Sequence, residues 1–229
     1  MPEIDLTGVE PFRLRGPQAR SRLLAFTVET ARLDLLGDID PYFGISVQQV
    51  IAKLAEITAP EIRIRINSYG GDVYEGVAIH NVLAAHKSRK VVEIIGCAAS
   101  AASWVAMVAD EILIWENATM MIHQSWQGIM GNADALEGAA EQLRRIDAQM
   151  VASYSRRTGL SEGEIRTMMS TDCWMTAEEA VAKGFADRIL RVGETIPSPE
   201  GAGQSDNLEI VASLRGLADA MMPKGGSRG

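Results

Sequence analysis

Residues 89–107 read R-K-V-V-E-I-I-G-C-A-A-S-A-A-S-W-V-A-M. Val91, Val92, Ile94 and Ile95 form an apolar run long enough for one buried strand, and Gly96 is expected to break it. The small residues that follow open a helix expected to continue through Trp104, Val105 and Met107. Ser100 then falls at the tip of a sharp strand-to-helix junction. There a hydroxyl can face a cleft, and free amides at the helix N-terminus can hold a negative oxygen. The pattern is not the hydrolase elbow G-x-S-x-G, because Ala98 and Ala102 stand where its glycines would be. A plainer reading is also open on this stretch alone: the alanines let a helix pack closely, and Ser100 caps it.

Working outward, residues 61–66 alternate, with Ile62, Ile64 and Ile66 on one face and Arg63 and Arg65 on the other, which predicts a strand. N-S-Y-G-G-D (67–72) is a tight turn into a helix carrying Val73, Val77, Val82 and Leu83. Two successive strand–glycine turn–helix units therefore stand side by side, the rhythm of an α/β fold with parallel strands. Before them, strands are expected at 24–28 and 31–36, the latter stopped by Gly37-Asp38. Ser46 and Gln49 form a capping box for a helix carrying Val47, Val50, Ile51, Leu54 and Ile57. After them come short strands at 111–115 and 119–122, then a loop or a loose hairpin at 124–132. The longest helix spans 134–157, with Leu136, Ala140, Leu143, Ile146, Met150 and Tyr154 on one face and Gly159 closing it. Ser161 with Glu164 and Thr176 with Glu179 cap two further helices, and residues 185–190 read as a last strand.

The 229 residues suit one domain with tails: an arm over 1–30, a core over 31–190 and a tail over 191–229. The arm is interrupted by Pro2, Pro11 and Pro17 and is locally basic through Arg13, Arg15, Arg20 and Arg22, which read as solvated. The tail opens as a linker over 191–207 and could form an amphipathic helix over 208–222. Hydrophobic residues make up 47%, enough for a full core. A net charge of −8, from 22 basic and 30 acidic residues, argues against a general nucleic-acid binder. Cys97 and Cys173 have neither a metal-ligand spacing nor a disulfide framework and read as reduced thiols of a cytoplasmic protein. No secretory leader and no membrane-spanning run is evident.

The chain holds three histidines. His80 and His86 fall within or at the end of the 72–86 helix and read as structural or solvated. His123 directly follows the apolar Met120-Met121-Ile122 and begins a loop, which places it for proton transfer. Asp172 lies in S-T-D-C-W-M-T, where Trp174 and Met175 are expected to bury it partly. A carboxylate there can orient an imidazole, or it can cap a helix or turn. Gly70-Gly71 can let a backbone amide approach an oxyanion, or can be an ordinary turn. Together these residues supply a nucleophile, a base, an orienting acid and oxyanion donors, the set that acyl transfer needs.

Four segments, I-N-S-Y-G-G-D-V-Y-E-G (66–76), G-C-A-A-S-A-A-S (96–103), M-M-I-H-Q (120–124) and M-T-A-E-E-A-V-A-K-G-F-A-D (175–187), resemble the proteolytic subunit of the Clp proteases, in the family's order. The similarity covers residues 33–190, and the wording of L-L-G-D-I, G-D-V-Y-E-G and A-A-S-A-A-S is most similar to the phage and prophage branch, some of whose members process capsid or scaffold proteins. The resemblance implies Ser100 as nucleophile, His123 as general base and Asp172 as the acid orienting it, with Gly71 and Ala101 giving the oxyanion amides. It implies an extended peptide bound along 70–73, including Gly70, and no cofactor or metal. It implies the superhelix of strand–turn–helix units shared with crotonases, with the 134–157 helix as a handle. One or two seven-membered rings would enclose a chamber, served by a Clp-type ATPase or by phage capsid and scaffold proteins. Many ring-forming members carry an acidic–Arg pair before the triad aspartate, where this chain has Ser170-Thr171. Two other functions fit the same fold: an acyl-CoA enzyme of the crotonase kind, which needs no Ser–His–Asp set, and a catalytically silent ring component.

Overall fold

The computed structural model describes residues 30–194. The expected strand at 24–28, the arm over 1–30 save Thr30, and the tail helix over 208–222 lie outside these residues. The elements follow in the order β1 (Thr30–Leu36), α1 (Val47–Glu56), β2 (Glu61–Ser68), α2 (Val73–Ala85), β3 (Arg89–Ala99), α3 (Ala101–Ala106), β4 (Glu111–Trp115), β5 (Thr119–Ile122), α4 (Ala133–Thr158), α5 (Glu162–Met169), β6 (Cys173–Thr176), α6 (Ala177–Ala182) and β7 (Arg188–Leu190). The fold is α/β, as the paired strand–helix units predict. Strands β1, β2, β3, β4 and β7 pair in that order, all parallel, while β5 pairs parallel with the end of β3 and β6 runs antiparallel beside β5.

Alternation along β2 sends Ile62, Ile64 and Ile66 into the core, where they meet Leu33 and Leu35 of β1, Val92 and Ile94 of β3, and Ile79, Leu83 and Val105 from the helices. The opposite face of the same strands carries charge. Asp34, fully buried, accepts from Arg65 Nε at 2.8 Å and Nη2 at 2.6 Å, directly across the β1–β2 register. That carboxylate raises the Arg65 pKa further. Glu93, next across from Arg65 on β3, is occupied by the Trp115 indole N–H at 2.8 Å.

Both capping boxes on the later helices and the one at Ser46 form as the sequence predicts. Gly159 takes the left-handed conformation that closes α4. Four expectations need correction. Gly96 does not end its strand: β3 continues to Ala99, because the register with β2 shifts between Ile66↔Ile94 and Ser68↔Ala98, and the strand bulges instead of stopping. The helix after Ser100 is a short one ending at Ala106, with Met107 as its cap. The last strand is confined to Arg188–Leu190, since the Phe185 and Ala186 amides still bond back to the Ala180 carbonyl at the end of α6. Finally, the strand Cys173–Thr176 was not expected at all; four residues are too few for alternation to declare themselves.

Candidate active site

The strand β3 has two neighbours along its length. Val91–Ile94 pairs with β4, and beyond the bulge Cys97, Ala98 and Ala99 pair with Thr119, Met120 and Met121 of β5. The ladder extends one step further, with the Ser100 amide donating to the Met121 carbonyl at 3.0 Å. That step sets Ser100 beside the end of β5, where His123 follows. On the far side of β5 the antiparallel register pairs Ile122 with Cys173, so Asp172 comes opposite His123. Three residues distant in sequence thus converge because two strand ladders, one parallel and one antiparallel, share β5.

The side chains complete what the registers begin. Ser100 Oγ lies 2.7 Å from His123 Nε2, and Asp172 Oδ1 lies 3.7 Å from His123 Nδ1. The first is a hydrogen bond; the second is an ion-pair distance, longer than a hydrogen bond. Ser100 has φ 53° and ψ −128°, and its side chain makes no cap bond, so the capping reading of this serine fails. Such a backbone costs about 1–3 kcal/mol and turns the hydroxyl away from the helix axis toward the imidazole. Asp172 also has positive φ, 47°, but Trp174 and Met175 do not cover it. Its side chain is 74% exposed, against 15% for His123, because Met175 turns into the core and Trp174 points outward.

The Gly70–Gly71 turn packs directly on the serine. A Cβ at Gly70, which has φ 91°, would lie 2.7 Å from the Ala99 carbonyl oxygen, 2.8 Å from Ser100 Cβ and 2.9 Å from the Ala101 nitrogen. Gly71 has φ 143° and bridges to Ile39 through the Gly70 carbonyl and the Asp72 amide, a pattern that leaves its own N–H out of the bridge. Ala101 begins α3, and a first-turn amide has no intrahelical acceptor. The Gly70–Gly71 turn and the start of α3 thus lie next to Ser100.

Several residues support this arrangement without having been singled out in the sequence. Asn67 lies against Gly96, where a Cβ would sit 2.5 Å from its Oδ1, and that oxygen accepts from the Cys97 amide at 3.1 Å. Asn67 thus fills the bulge that lifts β3 toward β5. Ser68 Oγ accepts from the Gly70 amide at 3.0 Å. Buried Ser103 donates to the Ser100 carbonyl at 2.6 Å, and its oxygen lies 2.8 Å from the hydroxyl of buried Tyr154 on α4. The helix α2 reaches the same turn through Gly76, which packs against Ala101. The I-N-S-Y-G-G wording carried the only hint of Asn67 and Ser68, as a turn and not as a brace.

His80 is structural, with Nδ1 3.2 Å from the Trp104 carbonyl; burial lowers its pKa. His86 caps α2 and accepts from the Ser88 amide through Nδ1. Burial pushes both cysteine thiols up, so neither is a thiolate competing with Ser100. Among the described residues no group of three or more His, Cys, Asp or Glu is placed to hold a metal ion, and no helix is long and apolar enough to cross a membrane.

Comparison with known proteins agrees with the fold. Residues 22–193 match the family model described as Clp protease. An ATP-dependent Clp protease proteolytic subunit of Deinococcus radiodurans is 30% identical over 146 residues, 63% of this chain and 72% of that one. One of Bacteroides fragilis is 30% identical over 163 residues, 69% of this chain and 79% of its own. The proteolytic subunit 2 of Treponema denticola is 27% identical over 173 residues, 74% and 86% of the two chains. With the α/β fold and this match over most of its length, the chain belongs to the Clp protease family of serine peptidases.

Proposed function

We propose that Ser100, His123 and Asp172 form the catalytic set of an endopeptidase whose protease domain spans residues 31–190. Ser100 Oγ attacks the scissile carbonyl carbon as His123 Nε2 takes its proton. The oxyanion forms between the Gly71 and Ala101 amides. His123 then delivers the proton to the leaving amine, the C–N bond breaks, and an acyl-enzyme remains on Ser100. Water, losing a proton to His123, attacks the ester and frees the acid, and Ser100 regains its proton. Asp172 holds the imidazole by its Nδ1 edge and offsets its positive charge. The substrate strand pairs in extended form along 70–73, beginning at Gly70.

The observation that carries this reading is the 2.7 Å Ser100–His123 hydrogen bond made from a strained strand-to-helix junction. A fluorophosphonate probe is expected to label Ser100 and no other residue. Ser100→Ala should abolish both labelling and peptide hydrolysis, and His123→Ala should cost about 10⁴-fold or more in kcat. Labelling that persists in Ser100→Ala, or turnover indifferent to His123→Ala, would sink the mechanism.

The relatives are named as subunits of ATP-dependent proteases, which supports action inside an oligomer, as one or two seven-membered rings fed by an ATPase. The wording of L-L-G-D-I, G-D-V-Y-E-G and A-A-S-A-A-S supports the phage and prophage branch, with capsid or scaffold proteins among the substrates, in the cytoplasm of the host. Copurification separates the two supplies of substrate: an ATPase partner would bring unfolded chains, whereas head processing would work without one.

A further inference from the structure

The ladders that bring His123 to Ser100 stop just short of it. The pairing of β5 with β3 ends at the Ser100 amide and the Met121 carbonyl, and its pairing with β6 ends at Ile122 and Cys173. His123 lies one residue beyond, so the chain that follows must be held by other means. Gln124 and Ser125 are both tied. The Gln124 amide, in the same planar peptide unit as the His123 carbonyl, donates to the Met169 carbonyl at 3.1 Å. Met169 is the last residue of α5, where a carbonyl has no donor within its own helix. The next peptide unit is held by a different helix. The Ser125 amide donates to Asp147 Oδ1 at 2.7 Å, and the Ser125 hydroxyl donates to the same oxygen at 2.7 Å.

Asp147 is unlike the charges that precede it on α4. Glu141 and Arg145 pair with each other a turn apart at 3.4 Å, with both side chains more than half exposed. Asp147 is half-buried and forms no ion pair among the described residues. Its neighbours Ile146, Met150 and Val151 are buried, so the carboxylate is carried by the part of the helix that the core holds. Both of its bonds are charge-assisted, hence shorter and stronger than the neutral pairs of an ordinary loop. Residues 126–131, which follow, are all exposed and make no backbone hydrogen bond among the described residues. Without Asp147, the Gln124–Met169 bond would be the one tie left between His123 and the N-cap of α4.

We infer that Asp147 is a positioning residue for the proposed base: through Ser125 it holds the peptide units after His123, so that Nε2 stays on the Ser100 hydroxyl. This role rests on the reading of His123 as general base and adds to it a residue outside the triad. Proton transfer needs the heavy atoms within about 2.6–3.2 Å, so a base free to drift from its 2.7 Å contact loses rate quickly. The bonds of Asp147 go to Ser125, not to Ser100, Ala101 or 70–73. Its loss should therefore slow the chemical step and leave peptide binding alone.

Steady-state hydrolysis of an internally quenched peptide by the full-length protein tests this. Asp147→Ala should lower kcat by ~10–10²-fold, as a misplaced base does, while KM stays within about two-fold. Asp147→Asn keeps an acceptor oxygen in place, and Ser125→Ala keeps the amide bond to the carboxylate, so each should lose less. The deciding comparison repeats Asp147→Ala in a His123→Ala background. A residue that acts through the imidazole has nothing left to act on there, so the further loss should stay below about two-fold. Rates of fluorophosphonate labelling at Ser100 supply the measurement where turnover is too slow. Wild-type kcat in Asp147→Ala overturns the role. So does a loss as large in the His123→Ala background as in the wild type, because Asp147 then acts on the fold at large. If Asp147→Ala does not fold, Asp147→Asn is judged by the same two comparisons. Wild-type turnover in His123→Ala alone overturns the general-base reading beneath, a separate result.

Discussion

Ser100 keeps a backbone that few residues other than glycine adopt, and only its neighbours can hold it there. Gly70 is the nearest of them. Gly70→Ala would drive a methyl group to within 3 Å of Ala99, Ser100 and Ala101 at once, in a conformation unfavourable for alanine. A displacement of ~1 Å at the reacting centre costs about 10²-fold, so kcat/KM should fall by at least that factor. Labelling by the fluorophosphonate should slow in parallel while circular dichroism stays near wild type. An active Gly70→Ala would show that the turn does not set the serine. The members of the proposed triad should also differ in severity. The Ser100–His123 bond is made at 2.7 Å while Asp172 stands at 3.7 Å and exposed, so Asp172→Ala should cost ~10–10²-fold less in kcat than either other substitution. Steady-state kinetics on the three alanine variants checks the order. At this scale residue types and local turns offered Ser100, His123 and the glycine pair as candidates beside plainer readings, and the resemblance to a family chose between them. What the sequence hid was Asp172's exposure, because burial depends on which way Trp174 and Met175 turn once β6 pairs with β5.

Elements, not single residues, bring the parts together, and the element least visible in the sequence matters most. The β3 bulge at Gly96 looked like a strand end because glycine usually marks one; only the Asn67 side chain lying against it reveals continuity. β6 was hidden by its length, yet its register places Asp172. α3 is anchored to α4 through Ser103 and Tyr154, and the protons can be assigned: Ser103 spends its own on the Ser100 carbonyl, so Tyr154 must donate to Ser103. Tyr154→Phe should therefore destabilise by about 1 kcal/mol. Ser103→Ala should cost more, ~1–3 kcal/mol, because it leaves a buried hydroxyl without a partner. In the double variant the penalties should fall short of their sum, as measured by chemical denaturation. His80 gives the α2–α3 contact a pH dependence. Burial lowers its pKa in the folded state below the ordinary 6.5, so the unfolded chain binds the proton more readily. The contribution of neutral His80 is complete above pH 6.5 and is lost as pH falls through that value toward the lowered one. Denaturation midpoints followed from pH 7.5 to 5 should decline less steeply in His80→Gln than in wild type; equal slopes would remove His80 from the acid response.

For the whole molecule, the question is what covers the first turns of α4, which are exposed in a single copy. Apart from Ala139, its buried residues lie between Ile146 and Tyr154, while all of 131–138 is exposed. The adjoining loop presents Trp126 at 80% and Met130 at 96% exposure, with Ile129 and Leu136 also uncovered. The sequence marked the helix and its apolar stripe, but periodicity cannot say whether a stripe meets its own core or another chain. Large apolar side chains gathered at one end of a long helix are what an interface between copies needs. Light scattering should accordingly find a species several times the 24.8 kDa chain. Trp126→Ser combined with Met130→Ser should shift it toward smaller species without lowering the α-helical signal. Because the 124–132 loop and the start of α4 follow directly on His123, loss of assembly should also loosen the proposed base, and peptide turnover should fall with particle size across a dilution series. A wild-type chain that stays monomeric at every concentration, or a double variant that assembles unchanged, would show that this surface serves something other than contact between copies.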